Sequence, residues 1–276
     1  MTQENFRKKK KYGQNFLVGD TVVRKIVAGS GITADCGVLE IGPGAGALTK
    51  ELLGAAGRVL SVEIDDELIP VLQSRFGSDE RFRLIHGDIL KTDVAALLRE
   101  HFAGMPVCVC ANLPYYITSP IIMRLLEGPL PIRSLTVMVQ KEAAVRITAA
   151  PGTRECGAIS AAVWYYSTPK LLFPVSRGSF LPAPAVDSAV IRLDLPQELP
   201  EDLPPREDFF AVVRAGFGQR RKTMLNSLSA GLRWEKDATR ALLTAAGIAE
   251  NARAEQVTLE QWKALTRAYF SMKKSR

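Results

Sequence analysis

Asn112-Leu113-Pro114-Tyr115 closes the apolar run Val107-Cys108-Val109-Cys110-Ala111. A polar amide, a proline that sets a turn and an aromatic ring suit a chemistry that alkylates an amine on a flat base. The exocyclic amine of adenine is a poor nucleophile because its lone pair is delocalised into the ring. An enzyme must redirect that pair toward an electrophile. Two acceptors do this, the side-chain oxygen of Asn112 and a neighbouring backbone carbonyl. Each takes one N–H and favours a pyramidal nitrogen whose lone pair points outward. Tyr115 then offers a π surface to a base withdrawn from its own stack. The same four residues also read as a proline turn after a buried strand, so the rest of the chain must decide.

A second constellation is Glu40-Ile41-Gly42-Pro43-Gly44-Ala45-Gly46, which follows an apolar strand and opens a helix. Ligands of open α/β sheets sit outside the carboxyl ends of strands, and glycines there let a cofactor approach the backbone. The spacing is G-x-G-x-G rather than the dinucleotide G-x-G-x-x-G, which suits the amino-acid end of S-adenosylmethionine better than a pyrophosphate. The bland alternative is a tight loop. Glu63, in Val62-Glu63-Ile64-Asp65, ends the next strand, where a carboxylate accepts ribose hydroxyls. Asp88, in His86-Gly87-Asp88, ends the third strand and suits the amine of the cofactor's adenine. Either acid alone reads equally as a strand end or helix cap. Three strand ends joined by Asn112 on a fourth make a site. His86 and His101 are the only histidines, neither lies in a nucleophile motif, and methyl transfer from a sulfonium needs no metal and no covalent intermediate.

The elements that must position these residues follow from periodicity. Strands are expected near Gly37 to Ile41, Arg58 to Ile64, Phe82 to His86, Val107 to Ala111 and Leu135 to Val139. Between them, helices are expected near Leu48 to Gly54, Asp66 to Phe76, Thr92 to His101, Pro120 to Glu127 and Lys141 to Ala149. This alternation makes a parallel sheet covered on both faces. Two later β-rich runs, Lys170 to Val175 and Ser188 to Leu193, are expected to finish the sheet as an antiparallel pair. The proline-rich, acidic stretch at 196–205 reads as a linker. Beyond it, Asp208 to Phe217, Arg221 to Gly231, Asp237 to Gly247 and Leu259 to Phe270 read as short helices.

The chain has 276 residues, 47% hydrophobic and 24% charged, which excludes a disordered class and leaves room for one large domain and one small. A formal charge of +7 fits a polyanionic partner. The cysteines, Cys36, Cys108, Cys110 and Cys156, form no Cys-x-x-Cys pair, which argues against a zinc ribbon and for buried thiols in a reducing compartment. The N-terminus is polar and basic and no apolar run reaches membrane-spanning length, so a cytoplasmic location is expected. The clearest basic clusters are Lys8, Lys9, Lys10 and Lys11, and Arg220, Arg221 and Lys222. They suit phosphates, with specificity left to RNA shape and a splayed-out adenine. Lys273, Lys274 and Arg276 read as a solvated end.

Taken in order, Gly13-Gln14-Asn15-Phe16-Leu17, the Glu40 to Gly44 turn with Leu48-Thr49, Asn112-Leu113-Pro114-Tyr115, Gln140-Lys141-Glu142 and Phe180-Leu181-Pro182-Ala183-Pro184-Ala185-Val186-Asp187-Ser188 resemble the ribosomal RNA adenine dimethyltransferases. Gln219-Arg220-Arg221-Lys222-Thr223 with Asn226-Ser227-Leu228 extends the likeness into the tail, so it covers nearly the whole chain and is strongest to the bacterial small-subunit branch. The resemblance implies a Rossmann-like α/β fold, a seven-stranded S-adenosylmethionine-dependent methyltransferase domain at 1–195 and a small helical RNA-binding domain at 206–276. It places Asn15 and Leu17 with Gly42, Gly44, Glu63, Asp88 and Asn112 around S-adenosylmethionine, and Phe180 opposite Tyr115 across the target base. It further implies a monomer acting on small-subunit rRNA within a pre-30S particle, adding four methyl groups to two adjacent adenosines of the 3′-terminal hairpin loop. No metal, DNA or membrane is expected. One departure is Tyr116, where the family commonly has Asn. Two rivals stay open: an erythromycin-resistance type enzyme of large-subunit rRNA, and a non-catalytic assembly factor with the same fold. The segments around Phe180 and Arg220 favour the small-subunit branch, and the intact cofactor residues favour catalysis.

Overall fold

The computed structural model describes residues 16–128, 130–196, 205–219 and 221–274. In chain order the strands are β1 (Phe16–Leu17), β2 (Gly37–Ile41), β3 (Arg58–Glu63), β4 (Phe82–His86), β5 (Val107–Asn112), β6 (Ile132–Gln140), β7 (Thr168–Val175), β8 (Phe180–Leu181) and β9 (Ser188–Asp194). The helices are α1 (Asp20–Ser30), α2 (Ala47–Ala55), α3 (Leu68–Phe76), α4 (Val94–His101), α5 (Thr118–Glu127), α6 (Lys141–Thr148), α7 (Ala158–Tyr166), α8 (Arg206–Phe217), α9 (Met224–Leu232), α10 (Lys236–Ala245) and α11 (Leu259–Lys274). The chain divides into two compact units, one of residues 1–124, 130–144 and 170–195, the other of 125–129, 145–169 and 196–276.

The first unit is built on a seven-stranded sheet in the order β4-β3-β2-β5-β6-β9-β7. β2 to β6 run parallel, and β9 pairs antiparallel with β6, leaving β7 at the edge beyond it. Every residue of β2 is buried, and so are the first five of β5. Successive side chains of a strand face opposite ways, so such a pattern requires cover on both faces. Cys108 and Cys110 lie inside this layer as free, buried thiols. From β2 the chain builds outward through β3 to β4, then crosses back to lay β5 on the other side of β2. The order reverses between β2 and β5, and a crevice opens there at the carboxyl ends. A separate two-stranded ribbon pairs β1 with β8, setting Leu17 opposite Phe180.

Two helices lie outside the expected set, α1 and α7. The residues of α7, Ala158 to Tyr166, are almost all buried, including Ile159, Val163, Tyr165 and Tyr166. A helix that is apolar all round leaves no polar stripe by which periodicity would announce it. In the second unit α8 packs with α7, α9 and α11. Its core holds Tyr166 stacked on Phe210 with centroids 5.6 Å apart, and a fully buried Trp262. Among the described residues no helix is long and apolar enough to cross a membrane.

Candidate active site

The site starts from the turn after β2. Gly42, Gly44 and Gly46 hold φ of 66°, 58° and 83°, a left-handed region that side chains with a Cβ occupy only at a cost. At Gly46 a Cβ would also fall 2.4 Å from the Phe76 ring, so glycine there lets α2 begin close against α3.

The turn, the ends of β3, β4 and β5, and the β1–β8 ribbon enclose one cavity of about 130 Å³. A single water needs only about 10–15 Å³ on the same measure, so the space admits a small organic molecule. Leu17, Gly42, Gly44, Glu63, Asp88, Asn112, Tyr115 and Phe180 all line it. These eight are every predicted cofactor and catalytic residue except Asn15, which lies outside the described residues.

Each polar wall residue has its own hydrogen bonding. Glu63, 4% exposed, accepts the N–H groups of Gly44, Ile64 and Asp65 at 3.1, 2.9 and 2.9 Å. Burial pushes its carboxyl up from the ordinary range, against the pull of those three donors. Asp88 spends Oδ1 on the N–H of Leu90 at 2.9 Å, which shapes the turn after β4. Its Oδ2 makes no hydrogen bond with a described residue.

Asn112 ends β5 beside Met138 of β6. Its side chain makes no hydrogen bond with a described residue, so the amide is available to a ligand. The two carbonyls that follow are not equivalent. Pro114 accepts from the N–H of Ile117 at 3.2 Å and from Oγ1 of Thr118 at 3.1 Å, so both its lone pairs are taken. The Leu113 carbonyl accepts no hydrogen bond from a described residue, while its own N–H donates to Met138 at 3.1 Å. Of the two carbonyls, that of Leu113 is the one left open to a donor among the described residues.

Tyr115 opens a single 3-10 turn and is half-buried, its hydroxyl 2.7 Å from Oγ of Ser188. Phe180 is 3% exposed and belongs both to the hydrophobic core around α1 and α2 and to the cavity wall. Tyr116, the departure from the family pattern, is 57% exposed and stands at the same cavity.

Two residues escape a reading of the sequence. Glu40 is 1% exposed and lines the cavity, its Oε2 accepting the hydroxyls of Thr49 at 2.8 Å and Ser61 at 2.7 Å. Its Oε1 is buried and has no partner. Burial pushes the carboxyl up to about 7. An acid within an apolar strand was the signal available, since such a residue is costly unless something meets it. Ser188 carried no signal beyond its place in the motif that starts at Phe180.

An orphaned acidic oxygen, a glycine turn open to close approach, two more acids at strand ends and apolar walls fit S-adenosylmethionine, which carries an ammonium, a ribose and an adenine. Of the predicted RNA contacts, Arg221 and Lys222 are exposed in the turn between α8 and α9 of the second unit. Lys8, Lys9, Lys10, Lys11 and Arg220 lie outside the described residues.

The sequence model of the family described as ribosomal RNA adenine dimethylase matches residues 5–269. The chain is 47% identical over 263 residues to ribosomal RNA small subunit methyltransferase A of Alkaliphilus oremlandii, covering 94% of this chain and 91% of that one. With the enzyme of the same name from Geobacillus thermodenitrificans it shares 44% identity, over 97% and 93% of the two chains. Among solved structures it is similar to a dimethyladenosine transferase from Plasmodium falciparum, with TM-score 0.71, 25% identity and 91% and 95% coverage. It is also similar to the 23S rRNA methyltransferase ErmE, with TM-score 0.66, 28% identity and 92% and 99% coverage.

Proposed function

We propose, for a chain that belongs to the ribosomal RNA adenine dimethylase family, that its target is a pair of adjacent adenosines in the hairpin loop near the 3′ end of small-subunit rRNA. The protein is an rRNA adenine N6-dimethyltransferase that uses S-adenosylmethionine. It acts as a monomer in the cytoplasm on a pre-30S particle, in this reading.

When bound, S-adenosylmethionine supplies an electrophilic methyl group on a sulfonium. Gly42 and Gly44 would admit its amino-acid end close to the backbone, Asn15 and Leu17 would help hold it, and the Glu40 carboxyl would meet its ammonium. Glu63 takes a ribose hydroxyl and Asp88 the adenine amine. Asn112 and the Leu113 carbonyl each accept one N–H of the target amine, which draws its lone pair out of conjugation. Tyr115 and Phe180 hold the base between them, replacing the stacking it gives up on leaving the RNA loop. The basic residues Lys8 to Lys11 and Arg220 to Lys222 contact phosphates and position the loop.

The convergence on one cavity of eight residues singled out in the sequence, from their own chemistry or from the family resemblance, carries this reading. The small-subunit assignment is supported by relatives of that name at 44% and 47% identity, against 28% for ErmE. The test is incubation with labelled S-adenosylmethionine and undermethylated small or large subunits, followed by mapping of the modified base. Label on two neighbouring adenosines of the small subunit is expected. Label confined to the large subunit overturns the assignment.

A further inference from the structure

We infer that Ser188 is a positioning residue for methyl transfer, its buried hydroxyl holding the ring of Tyr115 in the plane where it receives the target base. The inference rests on the stacking role of Tyr115 proposed above.

Ser188 opens β9 opposite Gln140, the last residue of β6, and is 0% exposed. Its Oγ lies 2.7 Å from the hydroxyl of Tyr115, a residue 73 positions earlier on the turn that follows β5. The anchor itself is held firmly. Asp187, immediately before it, gives its carbonyl to the N–H of Lys141 at 3.0 Å and its Oδ1 to the N–H of Arg177 at 2.9 Å. Ser188 therefore stands where two other segments pin the chain.

The physical effect follows from the shape of tyrosine. A half-buried ring can move between staggered χ1 wells, and rotation about χ2 is only softly restrained. A hydrogen bond at the far end of the ring stops the swing. It also selects the rotation, because conjugation keeps both the phenolic O–H and the lone pair that accepts close to the ring plane, so a fixed partner orients that plane whichever hydroxyl donates. Part of the entropy of ordering a stacking platform is then met during folding and not during the reaction. A hydroxyl that merely satisfied a buried donor would have no such consequence for turnover.

The test is a double-mutant cycle on methylation of undermethylated small subunits, with S188A, Y115F and the double variant, and with Ser188→Thr as the conservative exchange. S188A is expected to lower kcat by about three- to tenfold, the value of one ordinary hydrogen bond. Calorimetric affinity for S-adenosylmethionine should be unchanged. Y115F keeps the ring and loses the tether, so it should match S188A, and the double variant should fall no further than the worse single. Ser188→Thr should recover most of the rate. Wild-type turnover in S188A, losses that multiply in the double variant, or a loss that appears as weaker cofactor binding would each overturn the inference. If S188A does not fold, Y115F decides alone: full turnover without the phenol refutes the tether. Failure of the wild-type protein to methylate small subunits is a separate outcome, which overturns the substrate assignment instead.

Discussion

Oε2 of Glu63 accepts the backbone N–H of Gly44 across 3.1 Å, joining the end of β3 to the glycine turn after β2. With Ile64 and Asp65 donating to Oε1, three of the roughly four lone-pair sites of a carboxylate are in use. The side chain thus shapes the turn and keeps one site open, which the proposed mechanism gives to a ribose hydroxyl. Glu63→Ala should weaken S-adenosylmethionine binding by about ten- to a hundredfold, as expected for losing hydrogen bonds to a charged group. Calorimetry measures this directly, and an unchanged Kd would remove Glu63 from the cofactor site.

Asn112→Ala removes one of the two acceptors proposed to act on the reacting nitrogen. Single-turnover methylation should slow by about two orders of magnitude or more, on the scale of losing one preorganised partner at a reacting centre. RNA affinity should stay close to wild type. Near-normal chemistry in this variant would contradict the role.

Glu40 makes stability depend on pH. Burial raises its folded carboxyl to about 7 from an ordinary 4.5, so between those values the native state holds a proton that the unfolded state has released. Stability of the ligand-free protein is therefore highest at the acid end of that window and falls as pH rises through it. Glu40→Gln keeps an acceptor for Thr49 and Ser61 but cannot ionise, so its melting temperature should vary less over the window. Parallel curves for the two proteins would show that Glu40 does not titrate there.

Alanine at Arg220, Arg221 and Lys222 together should weaken RNA binding and flatten its salt dependence. The slope of log affinity against log salt should fall by about 0.7 to 0.9 for each lost phosphate contact. Cofactor affinity should not change. An unaltered slope would make the cluster a solvated face.

The number of methyl groups follows from the acceptors. N6-monomethyladenine keeps one N–H, so it can rotate, donate to Asn112 or Leu113 and present its lone pair again. A dimethylated base has none, and leaves buried acceptors unpaired at a cost of about 1–3 kcal/mol, which favours release. Mass spectrometry after exhaustive reaction should find four methyls per small subunit, two on each adenosine. Monomethyladenosine as a stable end product would refute this.

The strands that carry the site were legible because each is a short apolar run ending in a residue of a different kind: Ile41 before glycines, Glu63, His86 before Asp88, and Asn112. The expected bounds agree with β2 and β4 and fall within a residue of the ends of β3 and β5. α7 was hidden because its sequence is apolar on every side, and α1 because it follows Gly19, with no side-chain cap to mark where it begins. Both late β-rich runs do join the sheet, but β9 lies between β6 and β7. Strand order of that kind is a choice among distant partners that local composition does not encode.

The chain's own text determined which chemical groups are present, their order, and the turns and strand ends on which they stand, since spacing and backbone preference act over a few residues. Tertiary structure decided the rest. Only the paired sheet sets Ser188 against Tyr115 and leaves Oε1 of Glu40 without a partner. Each of these depends on which sequence-distant atoms the fold brings within reach of a hydrogen-bonding group, and packing settles that.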